Sequence, residues 1–302
     1  SSDLDIMKKT KTKILTVLVL ILLAGIYYYV KLPAINIHAD GFWMFLLVVI
    51  AAVAVFYIGR RRLFRKEDIK ASGIAKGLIG LFLLVVAVYL AGTLLSSPII
   101  NAKKYQKLLN VENGDFQTDI KELSFDQIPL LDRDSATLLG NRKMGSMVDM
   151  VSQFEVDELY SQINYQDKPV RVSPLRYANV IKWFTNQSEG IPAYIRIDMT
   201  TQSTELVMLD EGMKYSTSEY FNRNIHRHLR FRYPTYIFGE LSFEIDDNGV
   251  PYWVAPVKKF NIGLFGGETV GRVVLCNAIT GETEDYAIDE VPEWIDHRSE
   301  ER

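Results

Sequence analysis

With one cysteine, Cys276, among 302 residues, no disulfide can form within the chain. Stability must come from buried apolar surface, which a chain of this length can supply. No Gly-x-Ser-x-Gly elbow occurs, so the usual signature of a serine hydrolase is missing. The segment from Gly140 to Ser146 has the glycine spacing of a phosphate loop. It lacks the lysine after the second glycine that would reach phosphate. Asp132 and Asp134 could begin a calcium loop, but the glycine and glutamate that complete an EF-hand are absent. His226 and His228 would point about 200° apart on a helix and could not share a metal there. The sequence therefore suggests no cofactor, no metal and no catalytic residues.

Charge is absent from three long apolar runs, 14–30, 41–58 and 77–95. Each is close to the ~20 residues that cross ~30 Å of hydrocarbon as helix. Tyr27, Tyr28, Tyr29, Phe42 and Trp43 stand at run ends, where aromatic side chains favour the headgroup layer. Transporters and proton relays need ionisable groups inside the membrane, and these runs have none. They read as an anchor, with Gly77 and Gly80 as points for close packing or oligomerisation through the membrane helices.

The charge that is present divides sharply. Residues 1–100 carry a net +7, and residues 101–302 carry −10. An acidic rear portion lacks the basic surface that nucleic acid requires. In the front portion Lys8, Lys9, Lys11 and Lys13 precede the first run. Arg60, Arg61, Arg62, Arg65, Lys66, Lys70 and Lys76 follow the second, whereas residues 31–40 hold only Lys31 as a cation. The positive-inside rule then puts the N-terminus in the cytoplasm and everything after the third run outside the cell membrane.

Three regions are expected: an anchor at 1–100, a stalk and irregular connector at 101–152, and an α+β domain of antiparallel sheet with packed helices at 153–296. Within the last, 153–165 reads as a strand, 166–169 as a turn and 170–172 as the return strand. Ser173-Pro174 suits the start of a helix whose face carries Tyr177, Val180, Ile181 and Phe184. Ser216-Thr217-Ser218-Glu219 has the capping-box pattern, which predicts a second helix with Phe221, Ile225 and Leu229 buried. Strands follow at 236–245, 251–258, 269–276 and 282–288. Residues 290–296 read as the start of a connector, and 297–302 as a charged tail.

Two stretches repeat. Gly190-Ile191-Pro192-Ala193-Tyr194 recurs as Gly249-Val250-Pro251-Tyr252-Trp253. The segment from Asp198 to Glu205 recurs from Asn277 to Glu284. A duplicated helix-plus-hairpin unit, over 174–210 and 218–289, is the natural reading. The strand Val270-Gly271-Arg272-Val273-Val274-Leu275-Cys276, followed by Asn277-Ala278-Ile279-Thr280-Gly281-Glu282, resembles the PepSY family over roughly 174–296. In the first copy Gln202 stands where that pattern has glycine. The resemblance implies a cystatin-like helix on antiparallel sheet, in a non-catalytic extracytoplasmic module that regulates peptidases or binds surface partners.

The remaining candidate site is a basic strip of His226, Arg227, His228, Arg230 and Arg232, suited to an acidic partner. Together these features describe a membrane-anchored interaction or regulatory protein of a bacterial cell surface. Its partners would be the lipid bilayer and another membrane or cell-surface protein. A small-ligand sensor, or an enzyme with a dispersed site, is the alternative, and either would need a concave pocket with converging polar groups.

Overall fold

A computed structural model describes residues 2–64, 73–108, 114–119, 122, 124 and 128–296, with backbone alone for 2–13 and 60–64. Arg65, Lys66 and Lys70 of the basic loop and the tail 297–302 lie outside the described residues. The chain forms two compact units. One comprises Ser1–Leu108 with Phe260–Gly267, and the other Leu109–Lys259 with Glu268–Arg302.

The first unit contains α1 (Ser2–Lys31), α2 (Asp40–Phe64), α3 (Gly73–Leu95) and the short α4 (Pro98–Gln106). Ile14–Lys31, Asp40–Gly59 and Gly73–Leu95 are long and apolar enough to span a membrane, with mean hydropathies of 2.1, 2.6 and 2.6. Tyr27 packs on Phe45 between α1 and α2, and Trp43 on Tyr89 between α2 and α3. A Cβ added at Gly77 or Gly80 would meet no atom within 4 Å, so neither glycine marks a close helix approach among the described residues. The eight residues Phe260–Gly267 come from far along the sequence, yet they complete this unit. Ser96 Oγ accepts from the amides of Leu264 (2.9 Å) and Phe265 (3.1 Å), and His38 Nδ1 donates to the Leu264 carbonyl (2.7 Å). Phe265 packs on Trp43 and Tyr89, and Phe260 stacks on His38. The anchor is therefore more than three plain helices.

The second unit is α+β with antiparallel sheets. After the short α5 (Phe116–Asp119) and α6 (Arg133–Gly145), a five-stranded sheet is built from β1 (Phe154–Val156), β2 (Ser161–Tyr165), β3 (Lys168–Tyr177), β4 (Ile191–Asp198) and β5 (Thr204–Met213). A four-stranded sheet runs in order through β6 (Ser242–Ile245), β7 (Pro251–Ile262), β8 (Gly266–Asn277) and β9 (Thr283–Ala287). Helices α7 (Val180–Asn186) and α8 (Ile225–Arg232) lie in the connections. Side chains of both sheets share one core, in which Tyr194, Phe243 and Trp253 form an aromatic chain.

Several sequence expectations are corrected here. The strand 153–165 is broken at residues 157–160, opposite Ser173-Pro174: Val156 pairs with Leu175 and Ser161 with Val172. Pro174 has no N–H to give, so the ladder fails there and resumes beyond it. Ser173-Pro174 therefore lies within β3 and opens no helix; Ser173 Oγ donates to the Asp157 carbonyl instead. Helix α7 starts later and is capped by Asn179, whose Oδ1 accepts from the amides of Ile181 and Lys182. Ser216 to Glu219 likewise starts no helix, because Asn224 caps α8. Strand β6 begins only at Ser242. Residues 290–296 pack rather than lead away: Ile295 is fully buried and Trp294 contacts Tyr252. Asp132, weighed above as the start of a calcium loop, precedes α6 and caps it by accepting from the Ser135 amide at 2.7 Å.

The repeated stretches have matching local geometry. Asp198 Oδ1 accepts from the amides of Thr200 and Thr201, and Asn277 Oδ1 from those of Ile279 and Thr280. Gln202 donates its amide to the Asp198 carbonyl as Gly281 does to that of Asn277, both at 2.9 Å. Gln202 adopts φ 60° and Gly281 φ 76°, so both turns use the left-handed region and are of one type despite the glutamine. The surroundings differ: β4 alone joins the first Gly-x-Pro to its turn, whereas β7 and β8 both intervene in the second.

Candidate functional site

The sequence from Tyr177 to Asn224 builds a cleft beside an apolar rim. Strand β3 ends at Tyr177, α7 begins three residues later, and the chain returns through the loop 216–220 after β5. The loop is pinned from several sides. Thr217 Oγ1 donates to Asp157 Oδ2 (3.2 Å), Ser218 Oγ accepts from the Tyr177 amide (3.3 Å), and Asn224 Nδ2 donates to the carbonyls of Thr217 and Glu219. Between these pieces opens a cleft of about 540 Å³, lined by Glu155, Arg176, Tyr177, Ala178, Asn179, Thr217, Ser218, Glu219, Tyr220, Asn224 and Arg227.

Glu219 is the organising residue. It is 3% exposed, and its two oxygens accept from Tyr177 OH (2.8 Å) and Trp183 Nε1 (2.7 Å). Burial raises its pKa against the opposing pull of those two hydrogen bonds and of Arg223. The same burial, with the Glu219 charge, pushes the Tyr177 phenol upward. Arg176 pairs with Glu155 at 3.2 Å on the cleft edge, an exposed ion pair of little energetic weight.

The rim inverts the expected pattern of α7. Trp183 is the buried residue of this helix, while Val180, Ile181 and Phe184 point outward; Phe184 is 70% exposed. Phe221, expected in a buried stripe, is 66% exposed and sits 6.0 Å from the Trp183 ring. Its φ of 52° is a left-handed conformation that costs a non-glycine residue about 1–2 kcal/mol. Tyr220 packs on Trp183 with ring centroids 4.6 Å apart and the planes tilted by 52°. The result is a set of exposed apolar side chains around Trp183 next to a polar cleft.

The basic strip divides on α8. Arg227 lines the cleft, with Nη1 donating to the Phe221 carbonyl at 2.7 Å, and His226 is exposed. His228 Nε2 donates to the Gly281 carbonyl (2.8 Å) and its ring packs on Tyr215. Burial is the main cause of its lowered pKa. Arg232 reaches the same carbonyl at 3.4 Å. Arg230 is turned inward: it donates to the Tyr236 carbonyl (2.5 Å) and lies over the Phe238 ring. Arg230 thus ties down the chain just past the helix, and only Arg227 of the five joins the cleft. Cys276 is buried, and its thiol is pushed up to about 12 by burial. No group of three or more His, Cys, Asp or Glu side chains is placed to hold a metal among the described residues.

Sequence reasoning did not find Glu219, Trp183 or the outward face of α7. An apolar helix stripe looks the same in sequence whether it faces a core or a partner, and only burial separates the two. Comparison of the chain with protein-family models, curated proteins and solved structures finds no match in any of the three.

Proposed function

We propose that this protein is a membrane-anchored binding module whose extracytoplasmic domain engages a surface or membrane protein through the α7 rim and the Glu219 cleft. The exposed cluster of Val180, Ile181, Phe184 and Phe221 carries the reading. Monomeric surfaces rarely keep such a patch free, and bordering polar groups are typical of protein contact sites. The outside placement follows from the loop charges. The matching turns at Asp198 and Asn277 support a duplicated unit, and the PepSY resemblance goes with a non-catalytic, partner-binding role.

Photo-crosslinking residues placed at 184 and 221 of the full-length protein, in its own cells, test the proposal. Adducts with one protein from both positions, and none from position 211 on β5, are the expected result. Absence of adducts from 184 and 221 would count against the site. The cleft favours a second reading, a small-ligand sensor. Thermal stabilisation of the purified full chain by a small-molecule extract, lost in Arg227→Ala but kept in Phe184→Ala, would select it.

A further inference from the structure

The boundary end of the first unit carries apolar side chains that are exposed among the described residues. Ile99, four residues past the end of α3, is 93% exposed, and its neighbour Ile100 is also exposed. Ile35 and Ile37, in the connection between α1 and α2, are exposed as well. The tip residues 260–267 bring these two segments to one level. Leu264 bonds Ser96 through its amide and His38 through its carbonyl, so residues 35–38 and 96–100 flank the same tip. Exposed Lys103, Lys104 and Lys107 follow within and just after α4. Pro98 starts α4, and Asn101 Nδ2 donates to the Leu95 carbonyl (2.6 Å), so the last turn of α3 leads directly into it. Isoleucines followed by lysines, next to a span, form an interfacial pattern with apolar groups below and cations at phosphate level.

We propose that Ile35, Ile37, Ile99, Ile100, Lys103, Lys104 and Lys107 form a collar that binds the headgroup layer of anionic phospholipid. This rests on the three helices crossing a bilayer, independently of the partner site. The aliphatic groups enter the headgroup–acyl boundary, and each lysine near an anionic surface contributes about fivefold in partition.

The test uses the full chain, with Cys276→Ala, in nanodiscs of phosphatidylcholine with or without phosphatidylglycerol. Nitroxide labels are placed at Ile99→Cys and, as a span control, Leu83→Cys. Shielding from an aqueous collision reagent, but not from oxygen, is expected at both positions. Shielding at 99 should be stronger in phosphatidylglycerol discs, and changing the three lysines to glutamine should bring it down to the level in phosphatidylcholine alone. Water-like access at 99 with 83 shielded overturns the collar. Water-like access at 83 overturns the spanning reading and the collar with it. Shielding at 99 from both reagents assigns the surface to a protein contact instead, and indifference to both phosphatidylglycerol and the lysines removes the anionic lipid as its ligand.

Discussion

Glu219 and Asp198 are pushed in opposite directions by their surroundings. Burial raises the Glu219 pKa above the ordinary value of about 4.3. A raised folded value means the folded state holds its proton more tightly, so the group's stabilisation is full at low pH and fades as pH rises through the folded pKa. In Glu219→Gln, melting temperature relative to the native protein should therefore improve from about pH 4 upward and level off once the pH passes the folded pKa; a difference independent of pH would contradict the shift. Glu219→Ala is different in kind. It leaves Trp183 Nε1 and Tyr177 OH without their acceptor, at a cost of about 1–3 kcal/mol for each buried group. Asp198 behaves oppositely. Desolvation works against its ionisation, but hydrogen bonds from Thr201 and Thr200 prevail and hold the pKa at about 2. Its contribution is present above the ordinary value of about 3.9 and is lost as pH falls toward 2. Since Asn277 builds the same turn with an amide oxygen, Asp198→Asn should keep the fold at neutral pH. The variant should also lose part of the acid sensitivity, read by circular dichroism between pH 5 and 2.

At the scale of elements, Phe221 is held in a conformation that suits glycine, for an aromatic ring that is mostly exposed. Phe221→Gly should unfold at unchanged or higher denaturant concentration, within about 1 kcal/mol of the native protein, while crosslinking through the rim declines. Gly266 shows the reverse constraint. A Cβ there would lie 2.4 Å from the Ser96 carbonyl oxygen and 2.5 Å from the Tyr105 hydroxyl. Gly266→Ala should therefore lower stability by about 1–3 kcal/mol as the docked tip shifts, measured by thermal unfolding in detergent. The sequence marks some of these elements and hides others for identifiable reasons. The three membrane-length helices are legible because about 20 apolar residues in a row leave no alternative use. The turns at Asp198 and Asn277 are legible because an Asx side chain bonds its own backbone nearby. The capping pattern at Ser216 to Glu219 misleads, because Glu219 bonds Tyr177 and Trp183, more than 30 residues away. Ser173-Pro174 misleads because proline at a strand irregularity and proline at a helix start are the same dipeptide. The cleft depends on such long-range contacts, and of its organising residues only Arg227 belongs to a segment singled out by charge.

At the scale of the molecule, basic and acidic charge are separated along the chain, and the separation sets an expected orientation. Labelling of intact cells with a membrane-impermeant thiol reagent should modify Glu211→Cys, at an exposed position on β5, but reach Arg62→Cys only after permeabilisation; the opposite order would invert the topology. The two-unit organisation also has a consequence for biogenesis. Roughly 160 residues separate Leu95 from Phe260, so a ribosome adding about 5–20 residues per second makes the third helix some 10–30 s before the segment that docks on Ser96 and His38. During that interval Trp43, Tyr89 and Ser96 present an unfilled seat at the membrane boundary, open to any chaperone or neighbouring chain with a suitable loop. A nascent or proteolytically shortened protein ending before Phe260 would keep that seat open, and this would let a quality-control factor tell an unfinished molecule from a finished one.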